Sequence, residues 1–391
     1  MDVTKLNDWE IINLGDAATF INGYAFKPTD WSSDGLEIIR IQNLTKGSSD
    51  INYFSGEISD RYKVKYGDLL ISWSATLGIY LWKGEDAWLN QHLFKVVFDK
   101  KEFDKQFFKY LIGTSLNEMG RETHGSTMKH ITKVKFDRFK IPYPPLREQQ
   151  KIASILDAAD NLRQKDQQLI EKYNALSQSL FLDMFGDLFQ NDKGFVKQPI
   201  KELSENVQIG PFGSQLHKHD YINNGIPLIN PIHILKSKIV PDQSFTLSRE
   251  KYESLPNYHL RTNDIIMARR GEMGRCAIVT ENENNYFCGT GSLFIRPKKS
   301  INPLFLLHAL SSKSCKTYLE QNSQGVTMMN LNKKIILNLE IGVPPVSLQN
   351  QFTKSIQSIE AQKQLALASL EKSEALFNSL LQRAFKGELT T

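Results

Sequence analysis

The sequence predicts an α+β protein: two duplicated domains, each a mostly β core with helices, separated by two long helices that form an antiparallel coiled coil. Three observations predict it. The second half of the chain repeats the first, short β-rich runs alternate with polar loops in each copy, and each copy is followed by a long Gly- and Pro-free stretch with regular apolar spacing. The boundaries that follow are 1–143 and 189–343 for the domains, and 144–188 and 344–391 for the helical regions.

The repeat is read directly. Gly125, Thr127, Met128, Pro144, Pro145 and Gln149 return at Gly325, Thr327, Met328, Pro344, Pro345 and Gln349, a constant shift of 200. Nearer the start of each copy the offset drifts, as surface loops of different length require. Gly35-Leu-Glu-Ile-Ile-Arg-Ile answers Gly225-Ile-Pro-Leu-Ile-Asn-Pro, and Gly67-Asp68-Leu69-Leu70 answers Asn263-Asp264-Ile265-Ile266. A period this long exceeds any solenoid unit and indicates a tandem of domains. A chain of 391 residues also exceeds what one core usually holds.

Within the copies, Ile38–Ile41, Asp68–Ile71 and Phe94–Phe98 read as strands, bounded by Gly, Asn, Asp and Ser. Phe107–Ser115 and Leu304–Ser311 read as helices. The long helix Leu146–Phe185 starts after Pro144-Pro145 and stops at Gly186. Its expected apolar row is Ile152, Ile155, Ala159, Leu162, Leu169, Tyr173, Leu176 and Leu180, interrupted by Asp166. After Pro344-Pro345 the second row is Phe352, Ile356, Ile359, Ala366, Leu370, Phe377, Leu380 and Ala384, interrupted by Lys363 and Ser373. The spacing is close to a heptad seam, so each helix needs an apolar partner. At about 1.5 Å per residue each is a rod of roughly 60 Å.

Composition excludes several classes. The 22 Phe, 13 Tyr and five Trp are too many for a disordered chain. No apolar stretch approaches the roughly 18 residues of a membrane span, and the acidic start MDVTKLNDWE is no signal peptide, so a cytoplasmic protein is expected. Cys276, Cys288 and Cys315 form no CxxC pair and leave an odd thiol, which disfavours a disulfide framework or a zinc knuckle. The net charge of +5 is concentrated in 187–345, where Lys and Arg exceed Asp and Glu by five. That balance allows a polyanion partner without demanding one.

Motifs for catalysis are weak. Phe287-Cys-Gly289-Thr-Gly291 matches the glycine loop of S-adenosylmethionine-dependent methyltransferases, but a strand-like, proline-stopped Ser292-Leu-Phe-Ile-Arg-Pro follows where a helix is needed. The Asp/Asn/Ser-Pro-Pro-aromatic partner motif is missing, as is a GxxxxGK[ST] phosphate loop. His217 and His219 have no adjoining Cys or carboxylate cluster to complete a metal site. No catalytic, cofactor or metal residues are therefore assigned, and binding is favoured over chemistry.

The binding candidates are basic, hydrogen-bonding loops at matching places in the copies. In the first these are Ser74 and, within Gly125–Lys140, Thr127, Lys129, His130 and Lys133. In the second they are Ser214, Gln215, His217 and Lys218, then Arg269, Arg270 and Arg275 in a Gly-rich turn, then Thr327 and Lys333. Arg suits bidentate contact with guanine and Gln with adenine, while Lys and Ser/Thr usually hold phosphates.

Lys140-Ile-Pro-Tyr-Pro-Pro-Leu-Arg-Glu148-Gln149-Gln-Lys-Ile152-Ala-Ser-Ile-Leu-Asp157 resembles the specificity (S) subunits of type I restriction–modification systems. So do the rod ends Leu180-Phe-Leu-Asp-Met-Phe-Gly186-Asp187 and Leu380-Leu-Gln-Arg-Ala-Phe385-Lys-Gly387, and the order of parts over the whole chain. The resemblance implies two target recognition domains that each read half of a bipartite, asymmetric double-stranded DNA site. The rods then act as a ruler for the unread spacer and dock two methyltransferase subunits, which carry S-adenosylmethionine. Two motor-nuclease (restriction/translocase) subunits using ATP and Mg can join. Docking is thereby expected at Glu148, Gln149, Ile152, Phe181, Phe185, Gln349, Phe377 and Phe385. Two departures stand out: Pro344-Pro345-Val-Ser-Leu-Gln349 lacks the Glu148 equivalent, and Trp73-Ser-Ala-Thr-Leu-Gly78 lacks the glycines of Arg269–Gly274. A specificity chain of another restriction–modification type, a coiled-coil scaffold without DNA and an enzyme in its own right are the rivals. A salt-dependent DNA shift and a methyl-transfer assay separate the last two.

Overall fold

The computed structural model describes residues 9–45, 50–121, 131–323 and 330–389, which fall in two compact units. The first is 1–168 with 367–391, the second 169–366. Each long helix is thus divided between the units, its first half in one and its second half in the other.

In the first unit, Thr19–Asn22, Leu93–Val97, Leu69–Ser72 and Gly78–Leu81 form a four-stranded antiparallel sheet in that order. A second sheet orders Asn52–Phe54, Leu36–Ile39, Ala87–Leu89 and Lys63–Val64, its central pair parallel. The second unit repeats the plan. Ser204–Ile209, Ser292–Pro297, Ile265–Ala268 and Cys276–Ile278 form the antiparallel sheet. Tyr221–Ile222, Thr246–Leu247, Ile226–Ile229 and Phe287–Cys288 form the mixed one. The expected strands are present, displaced by one or two residues. The expected helices are Lys105–Arg121 and Pro303–Ser311.

The duplication extends to single hydrogen bonds. Gly23 N–H donates to the carbonyl of Leu93 (3.1 Å) as Gly210 N–H does to that of Ser292 (3.0 Å). Both glycines are required by close approach: a Cβ would lie 2.1 Å from the carbonyl oxygen of Asn90 at Gly23, and 1.9 Å from that of Gly289 at Gly210. Ile131 N–H donates to Trp73 O (3.2 Å) as Leu331 N–H does to Arg269 O (3.0 Å). Trp73 and Arg269 therefore occupy the same place in the two domains.

The rods pair within each unit. In the first, Ile152, Leu156 and Ala159 share a core with Phe377, Ala384 and Phe385. The Arg163 guanidinium lies 4.9 Å from the Phe377 ring centroid, and Ser369 Oγ donates to Asp166 Oδ1 at 3.0 Å. Ascending numbers on one helix meet descending numbers on the other, so the pairing is antiparallel. In the second unit Phe181 and Phe185 meet Phe352 at ring separations of 5.5 and 5.2 Å, and Phe185 meets Phe305 of the domain at 5.0 Å. Burying such a side chain contributes about 1.5–3 kcal/mol, so each domain leans on both rods.

One expectation about the seam is corrected. Leu162, Leu169 and Leu176 are exposed, at 44%, 39% and 49%. The phase set by Ile152, Leu156 and Ala159, continued in steps of four and three, reaches Arg163, Asp166, Ile170, Tyr173 and Ser177 instead. Each leucine lies one position, about 100°, off that line. The C-terminal row is met as read, with Phe352, Ile356, Ala366, Phe377 and Ala384 buried.

Candidate nucleic-acid interface

Two of the loops singled out from sequence follow strands of one sheet in the second domain, Ser204–Ile209 and Ile265–Ala268. In the second domain, Ile265–Ala268 runs into the turn Arg269–Arg275, closed by Ala268 N–H donating to Arg275 O at 2.8 Å. Gly271 and Gly274 have φ of +73° and +72°, a conformation that explains why glycine stands at both. Met273 is buried beneath the turn.

Its three arginines are not equivalent. Arg269 is only 8% exposed, and its Nε donates to Asn330 Oδ1 at 2.9 Å. Burial, reinforced by the neighbouring Arg270 charge, lowers its guanidinium from the ordinary arginine value. Arg270 is half-buried, its backbone bridged to Asn330 and its Nε enclosed with no acceptor among the described residues. Arg275 is half-buried, with its Nε 4.0 Å from Glu272. Asp264, which precedes the strand, is fully buried and gripped by the Arg296 fork at 2.8 and 2.7 Å. Burial still pushes its carboxyl above the usual range.

Ser214, Gln215, His217 and Lys218 are exposed on two short 3₁₀ turns. Gln215 Oε1 accepts from the Tyr258 hydroxyl at 2.8 Å. Asp220 holds the loop by accepting from His217 N–H at 2.7 Å and pairing with Lys251 at 3.2 Å. Those contacts, the backbone bond first, keep its carboxyl below the usual value. The His217 and His219 rings stack at 5.3 Å. No group of three metal-ligating side chains occurs among the described residues. Phe287-Cys-Gly-Thr-Gly leads into the strand Ser292–Pro297, with the Gly291 N–H donating to Asn230 Oδ1 at 3.3 Å.

In the first domain Ser74 is half-buried in the turn after Leu69–Ser72, where Ala75 has φ of +57°. Trp73 stacks on Phe94 at 5.6 Å where the second domain has Arg269. Lys133 is exposed but pairs with Asp137, and its ammonium lies 5.7 Å from the Phe20 ring. Lys333 is exposed at the start of a helix capped by Asn332. Thr127, Lys129, His130 and Thr327 lie outside the described residues. Sequence reasoning missed Asn330, which fixes Arg269, although it lies just beyond the second Gly325-to-Met328 block of the repeat.

The expected docking residues need correction. Ile152, Phe181, Phe185, Phe377 and Phe385 are buried in the rod–domain cores and present nothing to a partner. Gln149 and Gln349 are fully buried clamps. Gln149 accepts from Asp104 N–H at 2.9 Å and donates to Pro144 O at 2.9 Å. Gln349 does the same with Asn302 N–H and Pro344 O at 2.9 and 2.8 Å. Glu148 is half-buried and accepts from Trp9 Nε1 at 2.9 Å.

A family model described as the type I restriction modification DNA specificity domain matches residues 7–172 and again 199–373. The chain belongs to this family. Its two specificity domains are the two halves of the repeat. The chain is 28% identical over 415 residues to the type I restriction enzyme EcoBI specificity subunit of Escherichia coli, covering 98% of this chain and 87% of that one. It is 22% identical to the MjaVIII specificity subunit of Methanocaldococcus jannaschii, covering 98% and 93%. The crystal structure of a type I S subunit from M. genitalium shares the fold, with a TM-score of 0.58 at 16% identity and 98% of both chains covered. A chain from a study of type I complex assembly does so with a TM-score of 0.60 at 17% identity, covering 98% of this chain and all of that one.

Proposed function

We propose that this chain is the specificity subunit of a cytoplasmic type I restriction–modification complex and is not itself an enzyme. Each specificity domain reads one half of a bipartite, asymmetric duplex site, and the rods set the unread spacer. Two methyltransferase subunits supply S-adenosylmethionine chemistry to adenine in each half-site, and two restriction/translocase subunits supply ATP-driven motion and cleavage. The observation that carries the reading is the turn that leaves the shared framework in each domain, with Ser74 and Ala75 following Trp73 in the first and Arg270 following Arg269 in the second. One framework presents unlike chemistry at the same strand end, as reading two different half-sites requires.

The docking surface moves from the buried residues to the outside of the rods, where Leu169 and Leu176 are exposed one above the other on the same face in the second unit. An apolar row on a rod that already has its seam needs a further helical partner. Sequencing modified adenines in a host with and without this chain tests the function. One bipartite sequence should be modified only when the chain is present; an unchanged pattern overturns the reading.

A further inference from the structure

A cavity of about 360 Å³ opens beside the arginine turn of the second domain, within the second unit. Arg275 and Glu272 come to it from the turn, Lys236 from the hairpin joining Ile234–Leu235 to Lys238–Ile239, and Ser311 and Lys316 from the helical layer. Three cations face one carboxylate. Glu272 is the carboxylate, 3.5 Å from the Lys316 ammonium and 4.0 Å from Arg275 Nε. Neither cation is satisfied by it. The Arg275 Nε is enclosed without an acceptor among the described residues, and an enclosed guanidinium donor left unmade is costly. Glu272 itself is 61% exposed, and among the described residues these two long pairings are what hold it. The Lys236 end is rigid by construction, because Lys236 and Ser237 take φ of +49° and +58°, the two-residue turn of a tight hairpin.

We infer that this cavity seats a phosphate group of the DNA backbone, held by Arg275 and Lys316 with Lys236 at its rim, and that Glu272 occupies the two inner cations until DNA displaces it. The inference rests on the DNA-reading function proposed above and deepens it. A guanidinium fork matches phosphate oxygens and an ammonium serves as a point charge beside it. The cavity far exceeds the roughly 30 Å³ share of one water, so a phosphodiester fits. Arg275 closes the turn that carries Arg270, so a phosphate held there fixes where Arg270 points. These residues position the protein on DNA and read no base.

The test uses the full chain, alone and assembled with methyltransferase subunits, titrated on the cognate duplex and on duplexes altered in either half-site across a salt series. Arg275→Ala and Lys316→Ala should each weaken binding about equally on every duplex and reduce the slope of log affinity against log salt by about 1. Glu272→Gln should tighten binding on every duplex. Thermal melts establish that the variants fold, and Lys316→Arg, which keeps the charge, should retain the slope. Unchanged affinity in well-folded Arg275 and Lys316 variants overturns the inference, as does a loss confined to one altered base pair. Inorganic phosphate that stabilises the wild type but not these variants, while their duplex affinity is unchanged, would assign the cavity to a free anion instead. A wild-type assembly that binds no duplex would fail the DNA-reading function itself, a result distinct from all of these.

Discussion

Arg269 and Asn330 are joined by a hydrogen bond from the guanidinium Nε to the amide Oδ1 at 2.9 Å. The Leu331 N–H returns the contact by donating to the Arg269 carbonyl at 3.0 Å. Arg269 thereby ties the arginine turn to the segment entering the helix Lys333–Leu337, whereas Arg270 beside it has an enclosed Nε with no acceptor among the described residues. Adjacent arginines in one turn thus have different work.

Arg269→Ala should therefore destabilise the second unit by about 1–2 kcal/mol, the cost of a hydrogen bond lost at a half-buried partner, and weaken DNA binding only through that loss. Arg270→Ala should leave the melt in place and cost about 1–3 kcal/mol of binding on the cognate duplex, relaxing discrimination at one base pair. Thermal melts paired with titrations on singly altered duplexes separate the two. Equal melting points for both variants would sink the division.

The glutamines at the rod starts give a matched pair of predictions. Gln149→Ala removes both bonds from the junction of the central rod with its domain. Gln349→Ala removes the equivalent pair in the second unit. Each should destabilise its own unit by about 1–3 kcal/mol and slow neither expression nor folding of the other. Hydrogen exchange resolved along the chain checks this, with faster exchange expected in Lys105–Arg121 for the first variant and in Pro303–Ser311 for the second.

What sequence could reveal here follows from what repeats. Gln149 and Gln349 stand out because the clamp is identical in both copies, yet the repeat alone cannot tell a buried clamp from a docking surface: both leave a polar residue at the start of a helix. The strand Leu69–Ser72 is visible as an apolar run, but Asn22, Gly23 and Asn90 come together only through the closure of the sheet. The central seam is misread for a physical reason. Leu162, Leu169 and Leu176 make the stronger apolar row, while the true line passes through Arg163 and Asp166, whose polar groups are met by Phe377 and Ser369 of the other rod. A partner contributed from 200 residues away is invisible to local periodicity. Arg269 likewise looks like a surface base-reader until Asn330 is brought beside it.

His308 makes the second unit acid-sensitive. Its ring stacks on Phe181 at 6.0 Å and meets Phe352 edge-on at 5.1 Å. This enclosure holds the imidazole down at about 4, with the nearby Glu360 carboxylate opposing the shift. An unfolded chain takes up a proton near the ordinary 6.5 and the folded one resists until about 4, so stability falls as pH drops through that window. His308 is half-buried, so about 3 kcal/mol is the upper bound for this group. Denaturant melts between pH 4 and 7 should show that loss in the wild type and a flatter profile in His308→Phe. Parallel profiles would assign the acid sensitivity elsewhere.

The polar layer in the first unit's rod pair yields the last prediction. Asp166 is only 8% exposed, and Ser369 Oγ is the donor that reaches its Oδ1 across the seam. Ser369 is exposed, so in Ser369→Ala water can take its place at the Asp166 carboxylate, and the loss should be about 0.5–1.5 kcal/mol. Replacing both members, Asp166→Leu with Ser369→Leu, should recover the loss or exceed it, because a matched apolar layer avoids desolvating the carboxylate. Specificity should suffer in exchange. A polar pair at one seam position fixes which residues face each other, and an all-apolar seam tolerates sliding by a heptad. Cysteines placed to cross-link only in the native register would report it: the wild-type background should give one disulfide pairing and the double-leucine background a mixture. A single pairing in both would show that the domains, rather than this layer, set the register.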